Sequence, residues 1–217
     1  MRYTAYIFDL DGTLLDTLDD LRASVNYSLR HFAMPERTRD EVREFVGNGV
    51  RRLMERAVAG GTGNPLFDEA LDVFRRHYAE HSLDHTRPYP GIMDMLATLR
   101  QGGKRIAVVS NKFQAATERL CRHFFGDYVE VAIGESEGVR RKPAPDTVVE
   151  AMRRMGYAAP AAHGDAVYIG DSDVDIATAK AAGLPCISVL WGFRDRPFLE
   201  AHGATTFVTS PEEIVAI

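Results

Sequence analysis

The sequence predicts an α/β protein: a Rossmann-like, parallel-sheet core with a small α-helical cap domain inserted into it. Three observations carry this expectation. Short apolar runs that end in glycine or polar residues recur through most of the chain, and helical stripes separate them. One long stretch near the N-terminus carries helical stripes alone.

The first run, AYIF at residues 5–8, is continuous, aromatic and partly β-branched, and it breaks at Asp9-Leu10-Asp11-Gly12. That pattern belongs to a strand buried on both faces, as in a parallel sheet. RIAVVS (105–110), YVEVAI (128–133), AVYIGD (166–171), CISVLW (186–191) and the shorter TTFVTS (205–210) read the same way. Between them, Ile92, Met95, Leu96 and Leu99 form an apolar stripe that stops at Gly102-Gly103. Phe113, Ala116, Leu120 and Phe124 form a second that stops at Gly126, and Val148, Met152 and Met155 a third that stops at Gly156. Each has helical spacing and a glycine placed to cap it. Ser210, Pro211 and Glu213 read as the start of a last short helix.

Residues 16–86 break the alternation. Leu18, Leu21, Val25, Leu29 and Phe32 make one helical stripe, and Thr38 with Glu41 signals a capping box for a second helix. Val50, Leu53, Met54 and Ala57 mark a third helix, and Leu66, Ala70, Leu71, Phe74 and Tyr78 a fourth. The expected organisation is a discontinuous core, residues 1–15 with 87–217, and a helical cap at residues 16–86. Hinges are expected near residues 15–17 and 86–90.

Composition narrows the function. The chain has 217 residues, 45% of them hydrophobic and 26% charged, as a globular protein with a sizeable core requires. A formal net charge of -5 lacks the basic face that a nucleic-acid or membrane-surface binder needs. No stretch approaches the roughly 20 apolar residues of a membrane span. The N-terminal run is too short for a signal peptide, so a cytoplasmic protein without a nucleic-acid or membrane partner is expected. Cys121 and Cys186 are far apart, without the spacing of a zinc or redox motif, and read as reduced packing residues.

Four segments place polar groups after an expected strand or before an expected helix. They are Asp9-Leu10-Asp11-Gly12-Thr13, Ser110-Asn111, Lys142-Pro143 taken as opening the helix after YVEVAI, and Gly170-Asp171-Ser172-Asp173-Val174-Asp175. In an open parallel sheet, ligands bind outside the carboxyl ends of the strands, so these segments should meet at one edge. Such an edge gathers several carboxylates, a hydroxyl, an amide and a lysine. Clustered Asp oxygens suit a hard cation such as Mg2+. A phosphoryl group would complete its shell, with Lys142 balancing its charge and Ser110 and Asn111 donating to its oxygens. The pair Asp9-x-Asp11 offers one carboxylate to attack phosphorus and another to protonate the leaving alkoxide. Gly12 allows a sharp turn with its N–H near the phosphate. Taken alone, DLDGT is read equally well as a strand-ending turn of common turn residues.

The strings DLDGTLLDT, VVSN, RKPAPD and IGDSDVDIATAKAAG resemble the four ordered motifs of the haloacid dehalogenase superfamily. The resemblance spans essentially the whole chain. It implies Asp9 as the nucleophile, and Asp11 as the acid/base that also lends a backbone carbonyl to the metal. It further implies phosphate binding by Ser110, Asn111 and Lys142, and metal support from Asp171 and from Asp175, directly or through water. An acid at Asp11 fits ester hydrolysis, whereas the dehalogenases that resemble this core lack it. An insertion after the first motif is typical of members with a small helical cap, which favours a small-molecule phosphate ester as the partner.

Within the superfamily, FVGNGVRRLMERAV, SNKFQAAT, LWGFRDR and SPEEI are similar to phosphoglycolate phosphatases, implying 2-phosphoglycolate as substrate. Asn48, Arg51 and Arg52 are the candidates to face its carboxylate. The same arginines also read as the solvated face of their helix. Pyrophosphatase or β-phosphoglucomutase-like phosphotransfer, and a non-catalytic phosphate-binding protein on the same fold, remain alternatives. Monomer and homodimer are both open. His77, His81 and His85 recur every fourth residue but lack a zinc-protease pattern, and they read as a solvated polar face.

Overall fold

The computed structural model describes residues 2–157 and 165–217. Strand β1 (Ala5–Phe8) leads through the two-residue β2 (Leu15–Asp16) into four helices. These are α1 (Leu18–His31), α2 (Arg39–Phe45), α3 (Gly49–Ala57) and α4 (Phe67–His81). Strand β3 (Arg87–Pro88), which pairs with β2, is followed by α5 (Ile92–Gln101), β4 (Arg105–Phe113), α6 (Gln114–Phe125) and β5 (Val131–Glu135). The rest is α7 (Asp146–Arg154), β6 (Ala166–Gly170), α8 (Asp173–Ala181), β7 (Cys186–Val189), α9 (Arg196–Ala201), β8 (Phe207–Val208) and α10 (Pro211–Ala216).

The chain up to Leu15 and Pro88–Ile217 form one compact unit, and Asp16–Arg87 a second. The first holds a six-stranded parallel sheet in the order β5-β4-β1-β6-β7-β8. β1 lies between β4 and β6, with Phe8 in register with both Val108 and Ile169. Its four side chains are fully buried, which is why its sequence is continuously apolar rather than alternating. From β1 the chain builds outward through β4 and β5, then returns to the other side of β1 as β6, β7 and β8. The direction of winding thus reverses beside β1, which sets a crevice at its carboxyl end.

The second unit is helical, and its helices bury the apolar stripes that the sequence shows: Leu21, Val25 and Leu29 on α1, and Val50, Leu53, Met54 and Ala57 on α3. The capping box at Thr38 and Glu41 is formed in both directions. Asp20, buried in α1, accepts from the backbone N–H of His85 (2.9 Å) and Thr86 (2.9 Å) and from the Thr86 hydroxyl (2.8 Å). Burial works against this carboxylate, but the hydrogen bonds from Thr86 and His85 outweigh it and hold its pKa below the ordinary value.

Several expected boundaries shift. β5 begins at Val131, not 128, because Gly126–Tyr128 form a 3-10 turn and Glu130 is drawn outward to Arg100 and Arg105. β4 runs on to Phe113, and its register against β5 shifts between Val109 and Phe113. Because Phe113 belongs to the strand, α6 starts at Gln114 and buries Phe125 rather than Phe124. Leu66 precedes α4 and is 37% exposed, so it lies off the stripe. Lys142-Pro143 does not open a helix: it lies in a turn closed by Ala144 N–H to Arg141 O (3.0 Å), and α7 starts at Asp146. His77 is half-buried rather than solvated, stacked between Tyr27 and His81 with ring centroids 4.1 and 4.2 Å away.

Burial separates two apolar residues of the α4 region, Leu66 just before the helix and Phe74 at its middle. Phe74→Ala, at a fully buried position, is expected to cost about 3–5 kcal/mol, whereas Leu66→Ala should stay within about 0.5 kcal/mol. Urea unfolding of the two variants checks this. Equal losses would contradict the packing.

Candidate active site

Asp9 is the first residue beyond β1, and its position follows from the strand: four buried residues exit the sheet and the chain must turn. Leu10 N–H donates to Asp9 Oδ1 (2.7 Å) and fixes that carboxylate. Gly12 makes the turn with φ +85°. A Cβ there would lie 2.3 Å from Asp171 Oδ2, so no other residue fits. Gly192 also packs close to this carboxylate: a Cβ there would lie 2.6 Å from Oδ2 and 2.5 Å from the Gly12 carbonyl oxygen. Asp171 is held by the Thr13 hydroxyl (3.2 Å) and by Phe193 N–H (2.7 Å), and Trp191 Nε1–H donates to Thr13 O (3.0 Å).

Lys142 reaches the site from the turn before α7. Its side chain is 2% exposed, and Nζ lies 2.7 Å from Asp9 Oδ1, 2.8 Å from Asp175 Oδ1 and 3.1 Å from the Tyr168 hydroxyl. Tyr168 O–H donates to Asp175 Oδ1 (2.9 Å), closing a triangle beneath the site. The other Asp175 oxygen accepts from Ser172 Oγ–H (2.5 Å) and Ser172 N–H (3.1 Å) at the capped start of α8. Ser110 and Asn111 lie in the shifted part of β4, both buried. Ser110 Oγ accepts from Lys112 N–H (3.1 Å), and Asn111 Nδ2–H donates to Lys142 O (3.1 Å).

The structure thus brings Asp9, Gly12, Lys142, Asp171 and Asp175 into one contact network, tied to Asn111 through the Lys142 backbone. Asp11 points its carboxylate elsewhere, to the ammonium of Lys112 at 3.1 Å. Asn48, Arg51 and Arg52 lie in the helical unit at and after the start of α3. Arg51 pairs with Asp68 (3.0 Å) and sits over the Phe67 ring, and Arg52 pairs with Glu55 (2.5 Å). Sequence reasoning gave no role to Lys112, Thr13, Tyr168, Ser172 or Phe193. Thr13 and Ser172 lie within the polar segments singled out above, Phe193 within LWGFRDR, and Lys112 directly follows Ser110-Asn111, whereas Tyr168 left no such signal.

Carboxylate oxygens of Asp9, Asp171 and Asp175 all lie within 4.8 Å of one another, and all three residues are buried. Burial and the charge of Asp175 raise the pKa of Asp9 and lift that of Asp171 to about 7. Burial disfavours the Lys142 ammonium too, but Asp175 and Asp9 outweigh it and hold the proton on. With all three acids ionised, the one ammonium would leave two negative charges uncompensated in this cluster, and that excess is part of what raises Asp9 and Asp171. A buried, all-oxygen donor set with that excess fits a divalent hard cation.

The chain belongs to the haloacid dehalogenase-like hydrolase family, whose description matches residues 6–189. It is a phosphatase-type enzyme of that family, related to phosphoglycolate phosphatase homologues. It is 36% identical over 202 residues to phosphoglycolate phosphatase 1 of Pseudomonas aeruginosa, covering 89% of this chain and 72% of that protein. It is likewise 36% identical over 199 residues to a phosphoglycolate phosphatase of Mesorhizobium japonicum, covering 88% and 84%. A candidate phosphoglycolate phosphatase structure from Lactobacillus delbrueckii subsp. bulgaricus superposes with TM-score 0.91 at 37% identity, covering 99% and 97%. CbbY of Rhodobacter sphaeroides, solved in complex with phosphate, superposes with TM-score 0.74 at 28% identity over 98% and 96%.

The raised carboxyls set a pH dependence. An acid whose pKa rises on folding stabilises the protein while protonated, and that stability is lost as pH climbs through the folded value. For Asp171 the loss runs from the ordinary carboxylate range up to about 7. Protein stripped of divalent cations should therefore melt roughly 5 °C lower at about pH 8 than at about pH 5, and saturating Mg2+ should remove the difference. Calorimetry with and without chelator checks this. A melting temperature that is flat or rising across that window in stripped protein would contradict it.

Proposed function

We propose that this chain hydrolyses a small phosphate monoester, 2-phosphoglycolate in the first instance, through an aspartyl-phosphate on Asp9 and with Mg2+ as cofactor. The observation that carries the reading is the buried Asp9–Lys142–Asp175 cluster with Asp171 beside it. Asp9, Asp171 and Asp175, with the backbone carbonyl of Asp11, would hold the cation. When bound, it neutralises charge on the carboxylates and on the phosphoryl oxygens.

Asp9 attacks phosphorus while the ester P–O bond breaks, and Asp11 gives its proton to the departing alkoxide. In the second half, Asp11 takes a proton from water as that water attacks the aspartyl-phosphate and regenerates Asp9. Lys142 fixes one Asp9 oxygen and supplies positive charge to the phosphoryl group. Ser110 accepts from the backbone through its oxygen, which leaves its O–H to donate to a phosphoryl oxygen. Gly12, expected to offer its N–H there, instead donates it to Leu15 O (2.9 Å), so its part is to make the turn that carries Asp9 and Asp11.

The substrate choice rests on the relatives' names and on the helical unit. The core groups engage only what every phosphate ester shares, so discrimination falls to the cap. Asn48, Arg51 and Arg52 are assigned to the carboxylate of the substrate, where a guanidinium offers a two-pronged grip. No helix among the described residues is long and apolar enough to cross a membrane. A cytoplasmic enzyme acting as monomer or homodimer, without a nucleic-acid partner, completes the reading.

Phosphate release from a panel of esters tests the reaction. Release should require Mg2+ and disappear with EDTA, and activity that survives exhaustive chelation would contradict the metal assignment. For the substrate, Arg51→Ala and Arg52→Ala should lower kcat/KM for 2-phosphoglycolate about tenfold, leaving 4-nitrophenyl phosphate nearly unchanged. An unchanged ratio of the two substrates in both variants would remove these arginines from the substrate site.

A further inference from the structure

Lys112 has no part in the reaction as derived above, yet it is a lysine buried to 3% side-chain exposure with its ammonium 3.1 Å from Asp11 Oδ1. Burying an ammonium is costly unless it is paired, so this side chain is placed rather than incidental. Its backbone is pinned on both sides: the N–H donates to Ser110 Oγ (3.1 Å), and the carbonyl accepts from Thr117 Oγ1–H (3.3 Å). The neighbouring strand also fits closely there, since a Cβ on Gly134 would lie 2.6 Å from the Lys112 carbonyl oxygen. The register shift between β4 and β5 spans Ser110, Asn111 and Lys112, so one irregularity delivers all three to the site.

We propose that Lys112 is a positioning residue for the acid/base Asp11, fixing which carboxyl oxygen exchanges the proton. The inference rests on the phosphomonoester hydrolysis proposed above. An ammonium has only hydrogens to offer and must meet a lone pair. When Asp11 is protonated, Oδ1 accepts from Lys112 and the proton sits on Oδ2. In the first half-reaction that proton passes from Oδ2 to the oxygen of the leaving group as the P–O bond breaks. In the second, Oδ2 takes a proton from the attacking water. Without Lys112 the carboxyl can rotate and carry its proton on either oxygen, and the fraction aimed at the leaving group falls.

Such a defect depends on the leaving group. An alkoxide needs the proton as it departs, whereas nitrophenolate leaves without one. The test compares kcat/KM, which reads the steps through leaving-group departure, for glycerol 2-phosphate and 4-nitrophenyl phosphate at saturating Mg2+. Lys112→Met should lose about tenfold more on the alkyl ester than on the aryl ester, a share of the 10²–10⁴ that general acid–base transfer contributes. Should Lys112→Met fail to fold by circular dichroism, Lys112→Arg carries the same comparison with a smaller excess loss, because it keeps a donor for Oδ1. Equal losses on both esters in a folded variant would overturn the inference. So would a rise in KM alone with kcat unchanged, which would make Lys112 a substrate-binding group. Wild-type protein that releases phosphate from neither ester would overturn the underlying reading and the inference with it, and the two failures are thereby told apart.

Discussion

The ammonium of Lys142 imposes the constraint on which the site depends. It is buried beneath the carboxyl end of the sheet and carries three hydrogens, each of which needs an acceptor. Asp9, Asp175 and Tyr168 supply them at 2.7, 2.8 and 3.1 Å. Those residues come from the end of β1, the start of α8 and the middle of β6, while Lys142 comes from the turn before α7. A single buried charge thereby draws together three regions far apart in sequence: the end of β1, the turn before α7, and β6 with the start of α8. Removing Lys142 would leave Asp9 and Asp175 buried without the cation they share, which is far more costly than losing a surface ion pair.

The same constraint makes the arrangement reactive rather than merely stable. Three carboxylates held within 4.8 Å of one another, with one ammonium among them, form an assembly with negative charge to spare. Gly12 and Gly192 remove the side chains that would otherwise prevent backbone from closing on Asp171. The result is a buried oxygen cluster at the reversal point of a parallel sheet, suited to a divalent cation and an anionic phosphoryl group together. Asp11 stands outside the cluster against Lys112, so the two acids of the first motif have different surroundings and are suited to different work.

Much of this was legible in the sequence, and the reasons are physical. β1 could be read because a strand buried on both faces must be apolar without a break, so the polar residues after it announce the sheet edge. The helical stripes of α1, α3 and α5 were legible because each buries a face with local periodicity. What escaped depends on pairing between distant segments. The role of Lys112 arises from a register shift between β4 and β5, which no local pattern encodes. Tyr168 reads as an ordinary strand residue, and its hydroxyl gains meaning only from Lys142, 26 positions away. The ion pair of Arg51 with Asp68 joins two helices and was equally hidden. α6 was misread by one residue because Phe113, apolar at helical spacing, is held by the strand instead.

The central claim is that Asp9, fixed by Lys142, carries the phosphoryl group between substrate and water. Intact-mass spectrometry of protein quenched in acid during turnover, followed by peptide mapping, tests it most directly. The account predicts one added phosphoryl group on the peptide that contains Asp9, and neither adduct nor turnover in Asp9→Asn. A phosphoryl group mapped to another residue, or near-normal turnover in Asp9→Asn, would contradict it.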